Sequence, residues 1–78
     1  MANKFLKKQI LSVVDNQLNQ DDPKETKITF QRLIKNGYSK QEAKEMIAAV
    51  IAEEMFDILE NQERFNEKRY TEKLKSLK

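Results

Sequence analysis

Four carboxylates in the second half of the chain come closest to a chemical site: Glu53, Glu54, Asp57 and Glu60. On a helix, Glu53, Asp57 and Glu60 share one face, because residues three or four positions apart are neighbours there. Helix bundles that bind metal through carboxylates also use Glu-x-x-His motifs, and the chain has no histidine. We therefore expect no metal ion. The sequence instead predicts a solvent-exposed acidic face, paired with Arg64, Lys68 or Arg69.

Residues for catalysis of proton or acyl transfer are scarce. The chain contains no cysteine and no histidine, the side chains that most often act as nucleophile or base near neutral pH. No histidine is present to activate a serine, and Ser39 is expected to have a structural role. The sequence therefore predicts a protein that is not an enzyme and needs no cofactor.

Nucleic-acid binding has two candidate segments. Residues 29–47 have the outline of a helix-turn-helix around Gly37, and Lys40 and Lys44 begin the second helix, where base-contacting side chains lie. The basic C-terminal helix, within residues 64–78, is the other candidate for phosphate contacts. Both segments also contain glutamates, which phosphates repel. Nucleic-acid binding is therefore the alternative function, and a protein-interaction module is the preferred one.

An interaction module exposes apolar or aromatic side chains to its partner. The side chains that we expect at such a surface are Phe5, Phe30, Tyr38, Lys40 and Lys44. The identity of the protein partner does not follow from the sequence. Since a core this small rarely contributes more than a few kcal/mol of stability, a homo-oligomer is also considered.

The composition limits the class of protein. A length of 78 residues predicts a single domain over residues 1–78. No run of 18 apolar residues suggests a membrane span, and the N-terminus lacks the apolar region of a signal peptide. The absence of cysteine fits a reducing compartment, so a cytoplasmic location without membrane contact is expected.

Helical spacing of apolar residues, with one glycine and one proline in the chain, predicts an all-α fold. We expect a compact bundle of four helices at about 4–20, 23–36, 40–62 and 66–77. Residues 39–63 carry seven acidic and two basic side chains, and residues 64–78 carry six basic and two acidic ones. The fourth helix should therefore fold back across the third. The predicted core consists of Leu6, Ile10, Val13, Leu33, Ile34, Ile47, Val50, Ile51, Ile58, Leu59 and Leu74.

Short polar side chains predict where the first two helices begin. Asn3 is a candidate N-cap for the first helix. Asp22 is the predicted N-cap of the second, with Pro23 as its first helical residue. Glu25, three residues after Asp22, completes the pattern of a capping box, and Thr26 would cap a later start.

The later helix boundaries have stronger patterns. Gly37, the only glycine, is predicted to end the second helix in the left-handed conformation, followed by Tyr38 as in a Schellman motif. Ser39 and Glu42 form the S-x-x-E capping box of the third helix. Asn66 is the predicted N-cap of the fourth. The aromatic pair expected to staple that helix is Phe65 and Tyr70.

Two family resemblances accompany these patterns. The segment containing Leu33, Ile34, Gly37, Tyr38, Ser39, Glu42 and Ala43 resembles the helix-loop-helix of ubiquitin-associated domains, although Asn36 replaces their methionine and the flanking helices are longer. More broadly, residues 26–77 resemble a small bacterial helical family of unassigned activity. This likeness rests on Thr29–Ile34, Gly37–Ser39, Glu42, Ala43, Ile47, Val50, Ile51, Glu54, Met55, Leu59, Phe65, Asn66, Arg69, Tyr70 and Leu74. It implies a helical fold and brings no ligand or site residues.

Overall fold

The computed structural model describes residues 4–62 and 64–78, with side chains described for residues 6–62 and 64–78. Within these residues the chain forms four helices: α1 (Lys4–Gln20), α2 (Lys24–Lys35), α3 (Lys40–Asn61) and α4 (Glu67–Ser76). The all-α four-helix prediction is confirmed, and each predicted boundary lies within one residue of the observed one. Helix α3 contacts each of the other three helices, so it organises the packing.

The apolar core lies where α1, α2 and α4 meet α3. Its buried members are Ile10, Val14, Leu33, Ala43, Ile47, Ala48, Val50, Ile51, Tyr70 and Leu74. The predicted core residues Ile34 and Ile58 are only half-buried. Three other predictions are wrong: Leu6, Val13 and Leu59 are exposed. Because α1 directs Ile10 and Val14 inward, Val13 and Leu6 lie at the edge of the core, whereas Leu59 lies on a face of α3 that the described helices leave uncovered.

A buried polar network joins α1, α2 and α4. The hydroxyls of Thr26 and Tyr70 both donate to the amide oxygen of Gln17, at 2.8 Å and 2.9 Å. The two hydroxyl oxygens are 3.2 Å apart, and neither Thr26 nor Tyr70 has any exposed surface. A carbonyl oxygen has two lone pairs, so Gln17 satisfies both donors. The network therefore fixes the position of α4 relative to α1 and α2.

The second helix ends in a Schellman motif, as predicted. Gly37 has φ +105°, its N–H donates to the oxygen of Ile34 at 3.0 Å, and the N–H of Tyr38 donates to the oxygen of Leu33 at 3.1 Å. These bonds satisfy carbonyls that the helix end leaves without helical partners. The turn then leads directly into α3.

Side chains cap the starts of α3 and α4. Ser39 Oγ accepts from the Glu42 N–H at 3.1 Å, and Glu42 Oε1 accepts from the Ser39 N–H at 2.9 Å. This reciprocal pair is the predicted capping box. Asn66 Oδ1 accepts from the Arg69 N–H at 2.9 Å. The rings that flank this cap, Phe65 and Tyr70, have centroids 5.5 Å apart, as the aromatic staple predicts.

The predicted cap at the start of α2 is wrong. The helix begins at Lys24, so Pro23 is itself the N-cap and makes no side-chain capping bond. Glu25 accepts a hydrogen bond from Thr29 at 3.4 Å rather than completing a box with Asp22. The predicted cap Asn3 lies outside the described residues. Asp22 lies one residue before this N-cap, and its N–H donates to the oxygen of Gln17 at 3.2 Å, so it is not free to bond Glu25.

Replacing Gly37 by valine should reduce the free energy of unfolding by about 1–2 kcal/mol, since β-branched residues are strained at positive φ. A Cβ atom at this position would meet nothing within 4 Å, so the loss comes from backbone strain rather than from a clash. Urea denaturation followed by circular dichroism measures it. Gly37→Asn is the matched control, because asparagine tolerates positive φ better and should lose less. Equal stability of Gly37→Val and the parent would contradict the assignment.

Candidate functional site

The acidic cluster of α3 contains one buried carboxylate. Glu54 is only 1% exposed. The Nε atom of Arg69 donates to its two oxygens at 3.1 Å and 3.0 Å, and Arg69 Nη2 donates to Oε1 at 2.9 Å. The ammonium of Lys73 lies 3.0 Å from Oε2. The predicted solvent-exposed face is therefore wrong for Glu54, because α4 packs across α3 and encloses this side chain.

The rest of the cluster surrounds that pair at the surface. Asp57 lies 3.6 Å from Arg69 and 4.0 Å from Lys73, and Glu53 lies 3.1 Å from Lys73. Glu60 is exposed. Of the three predicted basic partners, Arg69 contacts the cluster, and Lys73 was missed. The spacing of four residues between Arg69 and Lys73 places both cations on one flank of α4, which is a pattern that points to Lys73.

The electrostatics of this cluster favour fixed charges. The hydrogen bond from Arg69 lowers the pKa of Glu54, although burial opposes the shift. The hydrogen bond to Glu54 in turn raises the pKa of Lys73. Both groups therefore stay ionised near neutral pH, which suits a structural ion pair rather than proton transfer. Within residues 4–62 and 64–78, no group of three His, Cys, Asp or Glu side chains is placed to hold a metal ion.

The predicted interaction residues differ in their burial and contacts. Phe30 and Tyr38 are partly buried against the core, and the Tyr38 hydroxyl donates to the backbone oxygen of Lys78. Lys40 is exposed at the start of α3. Both rings therefore contribute to the packing, and an interaction surface around Phe30 and Tyr38 stays a prediction. The side chain of Phe5 lies outside the described ones.

Several cations proposed for phosphate contacts are occupied by carboxylates. The ammonium of Lys44 lies 2.8 Å from Asp15 of α1. Arg69 and Lys73 are directed at Glu54, as described above. Phosphate binding would have to displace these pairs. The helix-turn-helix outline is present as α2, the Gly37 turn and α3, but its arrangement gives nucleic-acid binding little support.

Exposed apolar side chains define a different surface, which sequence analysis missed. Its large side chains lie on α1, on the second half of α3 and just before α4, and we call it the α1–α3 face: Leu6, Val13, Met55, Phe56, Leu59 and Phe65. Leu59 is 79% exposed and Phe56 62% exposed. Spacings of three and four residues place Met55, Phe56 and Leu59 side by side on the helix. Ile28 is also 53% exposed, but it lies on α2, apart from this face.

Two concavities lie beside members of the α1–α3 face. A groove of about 270 Å³ lies between α1 and α3, lined by Leu6, Lys7, Ile10, Glu45, Ala48, Ala49 and Ala52. A second cavity, of about 350 Å³, is lined by Val13, Gln17, Ile51, Glu54, Met55 and Phe65. The alanines make the first groove open, because they fill little of the space between the helices. Leu6 therefore borders the groove, and Val13, Met55 and Phe65 border the second cavity.

Comparison with known proteins adds no family. No protein-family model, curated protein or solved structure matches the chain. The resemblance of residues 26–77 to a bacterial helical family therefore stays a prediction. Within the part of the chain that the structure describes, no helix combines the length and the apolarity needed to cross a membrane.

Proposed function

We propose that this chain is a non-enzymatic, cytoplasmic protein-interaction module that binds its partner through the α1–α3 face. The observation that carries this proposal is the set of exposed large apolar side chains on α1, on the second half of α3 and just before α4, which we take to form one surface. Six such side chains lie there, and they are between 38% and 79% exposed. Scattered exposed apolar residues are normal on a soluble protein, whereas a contiguous patch marks an interaction site.

The size of the patch supports the same function. Large apolar residues have about 200 Å² of surface each, so six that are roughly half exposed present on the order of 600 Å². This estimate is at the upper end of the largest patch on a typical monomer, about 300–600 Å². A protein partner would remove this surface from water. Phosphates would gain nothing from it, and nearby Glu53 and Glu60 would repel them.

The test is a comparative pull-down from a lysate of the native host. The bait variants are the parent chain, the double variant Phe56→Ser/Leu59→Ser and the control Ile28→Ser. Because all three positions are more than half exposed, each bait should keep its helical circular dichroism. We expect proteins that the parent and Ile28→Ser retain and that the double variant loses.

Two outcomes would contradict the proposal. One is retention of the same proteins by all three baits. The other is retention of nucleic acid alone, released steeply as the salt concentration rises, which would favour the alternative function. Measuring absorbance of the eluate at 260 nm and 280 nm separates these outcomes.

A further inference from the structure

We infer that the α1–α3 face binds a second copy of this chain, in an antiparallel, twofold arrangement that places Phe56 of each subunit in the α1–α3 groove of the other. This inference rests on the proposed function and names the partner. A twofold interface uses the same surface on both subunits, so that surface must contain both a protrusion and a matching cavity. The α1–α3 face contains both.

Shape is the first argument. Phe56 follows Ala48 and Ala49 of the groove by eight and seven residues, which is about 11 Å along a helix. A twofold axis that crosses α3 near Ala52, midway between them, brings Phe56 of each subunit to the groove of the other. A cavity of about 150 Å³ is enough to hold benzene, and the groove measures about 270 Å³. An aromatic ring therefore fits, and the alanines allow the two α3 helices to approach closely.

Charge is the second argument, and it selects the antiparallel orientation. The first turn of α1 has no acidic residue and the last turn of α3 has no basic one, so neither helix end carries the charges that its dipole favours. Lys7 lies 2.8 Å from Glu45, which holds the basic start of α1 beside the first half of α3. Antiparallel pairing about Ala52 brings Glu60 of the partner subunit, and the end of its α3, opposite Lys44 and Glu45, on the side where Lys7 and its neighbour Lys8 begin α1. Parallel pairing would bring the two acidic ends together.

The area of the face is the third argument. A standard protein–protein interface buries about 800 Å² on each partner. The apolar side chains of the α1–α3 face provide on the order of 600 Å², and the charged residues around them supply the remainder. An apolar centre with a charged rim is the usual composition of a homodimer interface. The apolar side chains alone would therefore supply about three quarters of the area that a standard interface buries on one partner.

Sedimentation equilibrium of the full chain, from about 5 to about 500 µM, tests the inference, since dimer formation depends on protein concentration. We expect the parent to approach twice the monomer mass. Phe56→Ser should raise the dimer dissociation constant at least about tenfold, as loss of a central aromatic anchor does. Ile28→Ser, on α2, should leave it unchanged. Circular dichroism of each variant confirms that the helices are intact.

Charge reversal tests the orientation. Lys8→Glu alone and Glu60→Lys alone should each weaken the homodimer, because each places like charges together across the interface. Mixing the two variants should restore dimerisation, since each subunit then supplies the charge that the other lacks. The mixture is the decisive sample, because it recovers dimerisation only if residues 8 and 60 meet across the interface between two different subunits.

Three results would overturn the inference: a monomer at the highest concentration, a dimer unaffected by Phe56→Ser, or no recovery when the charge variants are mixed. Failure of the inference is distinguishable from failure of the proposed function. If the parent is monomeric but still retains lysate proteins that Phe56→Ser/Leu59→Ser loses, the face binds a different protein. If Phe56→Ser/Leu59→Ser changes neither the sedimentation result nor the set of retained lysate proteins, both the inference and the proposed function are wrong.

Discussion

Replacing both Arg69 and Lys73 by methionine is expected to remove about 3–5 kcal/mol of stability, the usual cost of leaving a buried charge without a partner. Glu54 is 1% exposed and is held by these two cations. A protein of this size has a total stability of about 4–12 kcal/mol, at about 0.05–0.15 kcal/mol per residue. The double variant should therefore lose a large share of its stability, and urea denaturation followed by circular dichroism would show a lower midpoint.

The triple variant Glu54→Met/Arg69→Met/Lys73→Met is the matched control. It should recover most of the lost stability, because apolar side chains of similar volume often replace a buried ion pair without cost. Replacing only one of the two cations should cost less stability, since the remaining one still contacts Glu54. Parent-like stability of the double variant would contradict the burial of this carboxylate.

The pH dependence of stability provides a second measurement of the same pair. The pKa of Glu54 is lowered from its ordinary value of 4.5 by the hydrogen bond from Arg69. Above pH 4.5 the ionised pair therefore makes its full contribution to the stability of the parent. This contribution is lost as the pH falls through the lower pKa that Glu54 has in the folded state. The triple variant should lack this acid-dependent loss. Urea midpoints measured between neutral pH and about pH 3 would compare the two proteins.

Replacing Tyr70 by alanine should also cost about 3–5 kcal/mol, the range for deleting a buried aromatic side chain. The ring is fully buried and contacts Phe65, so its removal leaves a cavity between α4 and the other helices. It also removes a donor to Gln17. Urea denaturation of Tyr70→Ala measures the combined loss.

Tyr70→Phe separates packing from hydrogen bonding. It keeps the ring and should cost only about 1–2 kcal/mol, because Thr26 still donates to Gln17 while the lost hydroxyl leaves one lone pair unused. If Tyr70→Phe proved as damaging as Tyr70→Ala, the hydroxyl network rather than the ring would dominate. A stable Tyr70→Ala would contradict the packing of α4 altogether.

The helix boundaries were predictable because the features that set them are local. Gly37, the Ser39–Glu42 capping box and Asn66 each act within a few residues of chain, so their patterns are visible in the sequence. The cap at Asp22 was wrong because α2 begins at Lys24, one residue later than predicted, and the Asp22 N–H bonds the end of α1 instead of Glu25. Local patterns therefore predict most helix boundaries, and contacts with the preceding helix can shift a boundary by a residue.

Burial was less predictable because it depends on which helices meet. Val13 and Val14 are adjacent, and a rotation of α1 by one residue decides which of them enters the core. The wide apolar face of α3 suggested a buried Leu59, but α4 has only 10 residues and α3 has 22. The neighbouring helices therefore leave part of α3 uncovered. The α1–α3 face was missed for this reason.

The polar network and the ion pair with Glu54 also affect how the protein unfolds. If α4 separated alone, the remaining helices α1, α2 and α3 would retain the Glu54 carboxylate without its cations. They would also retain the Gln17 amide oxygen without one of its two donors. Such a three-helix intermediate would be costly, so α4 should detach only when the remaining helices also lose their packing. Amide hydrogen exchange should accordingly give similar opening free energies at the centres of α1, α3 and α4, because one cooperative transition exposes them all.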